Sequence, residues 1–346
     1  MKSRTVATVG LRHRPAVLPW SAAAFACALA ALELLGPRLG GAEPGMPGPI
    51  GFASEALVAL ALPTGVVLAL AAVILALRRR AGPALATLAA ALAMLVPEAL
   101  PATAAPLAAA RDGEARLRVA AVNLQADNEA DPAMPEAIAG FDADVVVLCE
   151  YSRAWERRLE SLAVRYPHRF VASAPGLSGM DEKALRIAIW SRLPPDGEPE
   201  QRDLSGVNAQ LRVPLRWDGR RFAMYAVHPW KPFGYRSYRR AWRERRALLG
   251  WLRDETLPAV VAGDFNAPPG SALLLRLRQA GLSDAGPAVC GRAPGTWPMQ
   301  WPWLAPFRIA IDHVLTSAAF AAIGFRCGPA TGSDHAAICA ELVWRG

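Results

Sequence analysis

Cysteine is scarce in this chain and follows no metal-site pattern. Of five cysteines in 346 residues, Cys27 falls in an apolar run and Cys149 in a predicted buried strand, while Cys290, Cys327 and Cys339 have no zinc-type spacing. A cysteine-built zinc site is excluded, whereas one disulfide among the last three stays open for a compartment outside the cytoplasm. One-sided charge is lacking as well. The net +8 divides into 8 basic and 4 acidic residues over positions 1–110 and 30 and 26 over the remainder, +4 on each part. The C-terminal part therefore advertises no extended nucleic-acid surface. No internal repeat is visible. No charge pair lies inside the apolar runs, since Glu33 and Glu98 fall near their ends, so a transport pathway finds no support.

What the first 110 residues do contain is uncharged, Ala- and Leu-rich sequence. Ala16 to Leu32 carries no charge, Ala56 to Leu77 carries none over 22 residues, and Ala81 to Pro97 carries none either. A bilayer core takes about 20 apolar helical residues, so the second run suffices and the first nearly does. The third is interrupted by Pro97 and Glu98 and needs tilt or a kink to cross. Lys2, Arg4, Arg12 and Arg14 ahead of the first run would also suit a cleaved signal peptide, but no compact A-x-A-type site follows. The expectation is a membrane anchor over residues 1–110 with about three transmembrane helices, multi-pass in the cell inner membrane. The N-terminal basic group and Arg78-Arg79-Arg80 would stay cytoplasmic. Three crossings place residues 111–346 outside the cytoplasm, and loss of the third would reverse that.

From Arg111 the texture changes to short β-rich runs with helical and loop segments between them. Arg116–Val122, Asp144–Leu148, Ala184–Trp190, Asn208–Val213, Phe222–Val227, Ala259–Ala262, Ile309–Leu315 and Ala336–Val343 read as strands. Ala154–Leu162, Arg239–Asp254 and Ser271–Ala280 read as helices, which together suit one α/β domain of packed sheets and outer helices. Six short motifs put a polar side chain just past such a run. They are LRVAAVN ending at Asn123, VVVLCE at Glu150, FAMYAVH at His228, VVAGDFN with Asp264 and Asn266, IDHVL with Asp312, and SDH with Asp334 and His335. Together they supply what metal-assisted phosphoester cleavage needs: hard oxygen ligands for Mg²⁺ or Mn²⁺, a carboxylate to position water, and imidazoles beside a phosphoryl group. His13 and His168 have no motif around them, and His313 should face away from Asp312 across its strand.

In this order the motifs resemble the endonuclease/exonuclease/phosphatase superfamily, over essentially all of residues 115–346. The resemblance implies a DNase I-like four-layer α/β sandwich and divalent-metal-dependent hydrolysis of phosphodiesters or phosphomonoesters in nucleic acids or lipids. The hydrophobic N-terminus is similar to the membrane-anchored bacterial branch. By the same resemblance Glu150 is the principal metal carboxylate with Asn123 beside it, and Asp334 reaches the metal directly or through water. Asp264 and Asn266 position water and hold phosphate, Asp312 orients His335 at the phosphoryl group, and His228 donates to a phosphoryl oxygen. Cys149 stands where a glutamine is common, which would change hydrogen bonding behind the ligand.

Substrate choice falls to loops, here Trp230–Tyr238 and the aromatic stretch Trp297–Phe307, with a lipid headgroup, a nucleic acid or a small phosphoester as candidates; the aromatics of the second loop read either as capping the sandwich or as dipping into a membrane interface or stacking on a base. The arginine-rich stretch Lys231–Arg246 reads either as an amphipathic helix with solvated arginines or as a surface for an anionic partner. No obligate protein partner is implied. The alternative from another class is a membrane-tethered, non-catalytic module that binds a phosphate ligand.

Overall fold

The computed structural model describes residues 17–39, 43–99, 113–126, 128, 131–173, 186–203 and 208–346. The N-terminal basic residues, the 110/111 boundary and the beginning of the expected Ala184–Trp190 strand lie outside the described residues.

Two six-stranded mixed sheets form the C-terminal part. The first holds β1 (Leu117–Asn123), β2 (Val145–Cys149), β3 (His168–Ala172) and β4 (Ile187–Ser191). The second holds β5 (Glu200–Asp203), β6 (Ala209–Trp217), β7 (Arg220–Val227), β8 (Ala259–Asp264), β9 (Ser283–Asp284) and β10 (Asp312–Thr316); β11 (Phe320–Cys327) and β12 (Ile338–Trp344) return to the first. The spatial orders are β11-β12-β1-β2-β4-β3 and β5-β6-β7-β8-β10-β9.

The two-residue side-chain period of strands explains the layering. Leu117, Val119, Ala121, Val145, Val147 and Cys149 point into a core shared with Leu211, Val213, Met224, Val260 and Val314 of the opposite sheet. Their neighbours Ala120, Val122, Val146 and Leu148 point outward onto helical segments carrying Ile138, Trp155 and Leu159. On the far side Tyr225, Val261 and Leu315 meet Leu248, Trp251 and Leu274. The central strands therefore read as unbroken apolar runs, being covered on both faces.

Nine α-helices are assigned among the described residues: α1 (Val17–Leu35), α2 (Pro49–Ala59), α3 (Ala61–Leu77), α4 (Ala81–Ala99), α5 (Met134–Gly140), α6 (Arg153–Arg158), α7 (Tyr235–Arg253), α8 (Ala272–Gln279) and α9 (Ala285–Cys290). The expectation of about three transmembrane helices is corrected here. Among the described residues one helix, Pro19–Arg38, is long and apolar enough to cross a bilayer, and α4 has only a shorter apolar portion, Ala81–Leu95. The uncharged 22-residue run is split between α2 and α3, which meet at 80°. Pro63 explains the break: in a continuous helix its ring would strike the carbonyl of Ala59. The 17 residues of α3 span about 25 Å at the helical rise, short of a bilayer core.

A polar contact fastens β6 and β7 to the end of α7. Glu255 accepts two hydrogen bonds from Arg212, at 2.6 and 3.1 Å, and one from the Tyr225 hydroxyl at 2.6 Å. Burial alone would raise its carboxyl, but the Arg212, Tyr225 and Leu257 donors reverse this and hold it at about 2 against an ordinary 4.5. A carboxylate depressed in the folded state stabilises the fold above pH 4.5, and that contribution is lost as pH falls from 4.5 toward 2. After allowance for solvent screening, Glu255→Gln is expected to cost roughly 2 kcal/mol at neutral pH. Thermal unfolding followed across pH should also show a flattened acid limb, and an unchanged acid limb would remove Glu255 as its source.

Candidate active site

Strand register brings the six motifs to one end of both sheets. β1 and β2 run parallel with Asn123 beside Cys149, so Asn123 and Glu150 leave the first sheet together. β7 and β8 run parallel with Val227 beside Gly263, which sets His228 next to Asp264. β10 enters antiparallel with Asp312 directly opposite Asp264. β12 enters antiparallel to β1 with Ile338 opposite Ala121, so Asp334 and His335 arrive at the same rim.

The side chains then meet. Asn123 Nδ2 donates to Asp264 Oδ2 at 3.0 Å and to Glu150 Oε1 at 3.3 Å. His228 Nε2 lies 3.5 Å from Asp264 Oδ2 and 3.9 Å from Glu150 Oε1. His335 Nδ1 contacts Asp312 Oδ2 at 2.9 Å, which turns Nε2 to within 3.8 Å of Asp264 Oδ2. Asn266 donates its backbone N–H to Asp264 Oδ1 at 2.7 Å and its side-chain amide to the Pro229 carbonyl at 3.0 Å. Asp334 sits at the edge, accepting from the Trp297 indole at 3.1 Å, with Oδ1 4.0 Å from His335 Nε2. All eight residues singled out in the sequence thus lie together at one end of the two sheets.

Charge is distributed unequally among them. Burial pushes the Asp264 carboxyl above its ordinary 3.8 despite both imidazoles. Burial also works on Glu150, but His228, the Ala126 N–H and Asn123 outweigh it and hold that carboxyl low. Burial would deprotonate His335, yet Asp312 and Asp264 push its ring up to about 10, so at neutral pH it is a donor at both nitrogens. Burial raises the Cys149 thiol well above its ordinary value. The thiol therefore stays protonated; it faces the inter-sheet core and accepts from the Asp264 N–H at 3.5 Å.

The geometry fits a divalent cation. Carboxylate oxygens of Asp264 and Asp312 lie within 4.8 Å of each other, and Asp312 Oδ1 is buried without a hydrogen-bond partner; His335, in the same cluster, could join as a ligand only with its ring neutral. An orphaned carboxylate oxygen inside a set of hard donors is what a bound cation would satisfy. Asn123 and Glu150 border the same cluster.

Several supporting residues escaped the motif reading. Asn208 donates to the His228 carbonyl and Gln210 accepts from the His228 N–H, both at 2.7 Å. Thr296 Oγ1 accepts from the Ile311 and Asp312 N–H groups at 3.2 and 3.3 Å, and Ser333 donates to the Asn123 carbonyl at 2.8 Å. Asn208 and Gln210 did leave a signal, two amides at strand spacing beside a run of apolar residues. His313 is turned away from the cluster, as expected, and bridges Asp284 Oδ2 at 2.7 Å and the Ala267 carbonyl at 3.0 Å.

A model of the endonuclease/exonuclease/phosphatase family matches residues 120–335, from within β1 to His335 itself. The chain belongs to that family. No curated protein matches the sequence. Solved structures agree on the fold. An endonuclease/exonuclease/phosphatase from Beutenbergia cavernae DSM 12333 is 20% identical, with TM-score 0.53 over 67% of this chain and 72% of that one. The human nocturnin catalytic domain with bound sulfate is 16% identical, with TM-score 0.52 over 66% and 95%. A humanized TDP2 from D. rerio is 16% identical, with TM-score 0.51 over 66% and 98%. At these identities they support the DNase I-like architecture alone.

Proposed function

We propose that the chain is a divalent-metal-dependent phosphoesterase, using Mg²⁺ or Mn²⁺, that works on phosphodiesters at a membrane surface. The observation that carries this reading is the meeting of Asn123, Glu150, His228, Asp264, Asp312 and His335 through contacts of 4 Å or less. A cation held there by Glu150, Asp264 and their neighbours would offset charge on the phosphoryl and leaving oxygens. Water attacks phosphorus in line with the departing oxygen, and Asp264 accepts a hydrogen bond from that water. Asn266 helps hold the phosphate. His335, its ring fixed by Asp312, donates from Nε2 to a phosphoryl oxygen, and His228 donates to another, stabilising the developing charge. No side chain needs to act as nucleophile.

Membrane attachment is supported by the apolar side chains left in contact with solvent on α1, α3 and α4, among them Phe25, Val67, Leu70, Leu77 and Leu85, each more than half exposed. We place the protein in the inner membrane with its catalytic part extracytoplasmic: the N-terminal basic group ahead of α1 would stay cytoplasmic, and Gly45 and Met46, just beyond α1, accept hydrogen bonds from Trp242 and Tyr238 of the catalytic part. An aromatic rim favours a lipid substrate over extracellular nucleic acid. Phe233, Trp301, Trp303 and Phe307 are exposed, and Phe233 stacks against Trp297, the partner of Asp334.

The test is hydrolysis of bis-p-nitrophenyl phosphate, plasmid DNA and phospholipid vesicles by the full chain in detergent, with Mg²⁺, Mn²⁺ or EDTA. Turnover is expected with either metal, none with EDTA, and a loss of at least about 10²-fold in Glu150→Ala and His335→Ala. Activity that survives EDTA would remove the metal from the mechanism. Phosphate binding with no turnover of any substrate would favour the binding module.

A further inference from the structure

The arginines of α7 divide by face. Arg236, Arg239, Arg243 and Arg246 are exposed, but Arg245 is completely buried. Its Nη1 lies 3.0 Å from Glu55 Oε2 on α2, and its Nη2 donates to the Asn266 carbonyl at 2.6 Å. The other Glu55 oxygen accepts from the Ala272 N–H at 2.9 Å, at the first turn of α8. A buried ion pair is retained at a desolvation cost, and its best-attested use is to fix one arrangement rather than to add stability.

The segment carrying Glu55 is fitted closely to the catalytic part. Tyr238 donates to the Met46 carbonyl at 2.7 Å, the Trp242 indole to the Gly45 carbonyl at 3.0 Å, and Arg276 to the Glu43 carbonyl at 3.0 Å. A Cβ at Gly51 would stand 1.8 Å from the Met46 carbonyl and 2.6 Å from the Tyr238 hydroxyl, so the approach requires glycine. At the other end of the chain of contacts, Asn266 has φ +46°, in the left-handed region, with its N–H held by Asp264 and its side chain by Pro229. Arg245 holds its remaining backbone group. The preceding residue on α7, Glu244, accepts from the Trp230 N–H. Adjacent side chains of one helix thus grip both loops that carry His228 and Asn266.

We propose that Glu55 and Arg245 are positioning residues of the active site, through which docking of residues 43–59 against α7 and α8 sets the Asn266 loop. Residues 111–346 therefore do not contain all of the site's support. Because α2 leads through an 80° bend into the apolar helix α3, the membrane-side segment and the Asn266 loop are mechanically connected.

The kinetic arm of the test rests on the phosphoesterase reading, and the exchange arm does not. Full-length protein in detergent is compared with Glu55→Gln, Arg245→Lys and, as a control at an exposed arginine of the same helix, Arg239→Gln. Amide hydrogen exchange is followed in peptides covering residues 262–268. Glu55→Gln and Arg245→Lys are expected to speed exchange there by about tenfold or more, and Arg239→Gln by no more than about twofold. With bis-p-nitrophenyl phosphate and Mn²⁺, kcat should fall about 10- to 100-fold in the two variants while KM moves less than about threefold. Should Glu55→Gln fail to fold, Glu55→Asp, which keeps the charge and shortens the reach, is read in its place. Wild-type exchange over residues 262–268 in the Glu55 variant would overturn the coupling whatever the activity. A wild-type protein without turnover would remove the phosphoesterase reading and leave the exchange result to decide this one.

Discussion

Asp264→Asn is expected to lower kcat by about 10³-fold while leaving the metal-free protein at least as stable as before. The carboxylate is 1% exposed, and its oxygens face Asn123, His228, His335 and the Asn266 N–H. An asparagine keeps the shape but removes the charge that would face the attacking water. The stability half follows from the sign of the burial effect. A carboxyl raised above 3.8 in the folded state is one whose ionised form the fold disfavours at neutral pH. Neutralising it removes that penalty, although His335 loses one of its three nearby carboxylates. Thermal unfolding in EDTA and steady-state turnover with Mn²⁺ measure the two halves separately. Near-normal turnover would take Asp264 out of the chemistry, and a large fall in melting temperature would make its role architectural.

Gly263→Ala should act in the opposite way, through the scaffold. Gly263 has φ +140°, and a Cβ built there stands 2.1 Å from the Val227 carbonyl of the neighbouring strand. Flexible side-chain movement cannot relieve the overlap, because the obstacle is backbone. Moving β7 away from β8 would separate His228 from Asp264, since each follows one of the two clashing residues. Left-handed strain and backbone overlap together are expected to cost roughly 3–5 kcal/mol, seen as a lower urea midpoint at unchanged slope. A midpoint equal to wild type would mean that the strands tolerate the shift. Turnover should fall with it even in the fraction that folds.

Sequence reading found the central strands and missed four others, and the division is physical. β3, β5, β9 and β11 are the four sheet edges. β5, Glu-Gln-Arg-Asp, is exposed at every residue, and β11 is buried fully only at Phe320. Edge strands lack the two-sided burial that writes an apolar run into the sequence, and polar edges resist unwanted pairing. The apolar run from Ala56 to Leu77 misled for a related reason. Absence of charge is visible in one dimension, whereas the bend imposed by Pro63 and the burial of Glu55 against Arg245 are not.

By itself the sequence determined the local chemistry of this protein. It placed a polar or acidic side chain beyond each buried strand, in an order that marks the endonuclease/exonuclease/phosphatase family, because strand burial forces apolar runs and their ends must meet water or ligand. Only the tertiary structure decided that Asp264 faces Asp312 and touches Asn123, that Asn208, Gln210 and Thr296 fix the backbone around the site, and that Arg245 is an internal cation held by a helix nearly 200 positions away, at a separation of 190 residues. Those are matters of strand register and helix docking, set by packing between segments far apart in the chain, for which no local pattern of residues can stand in.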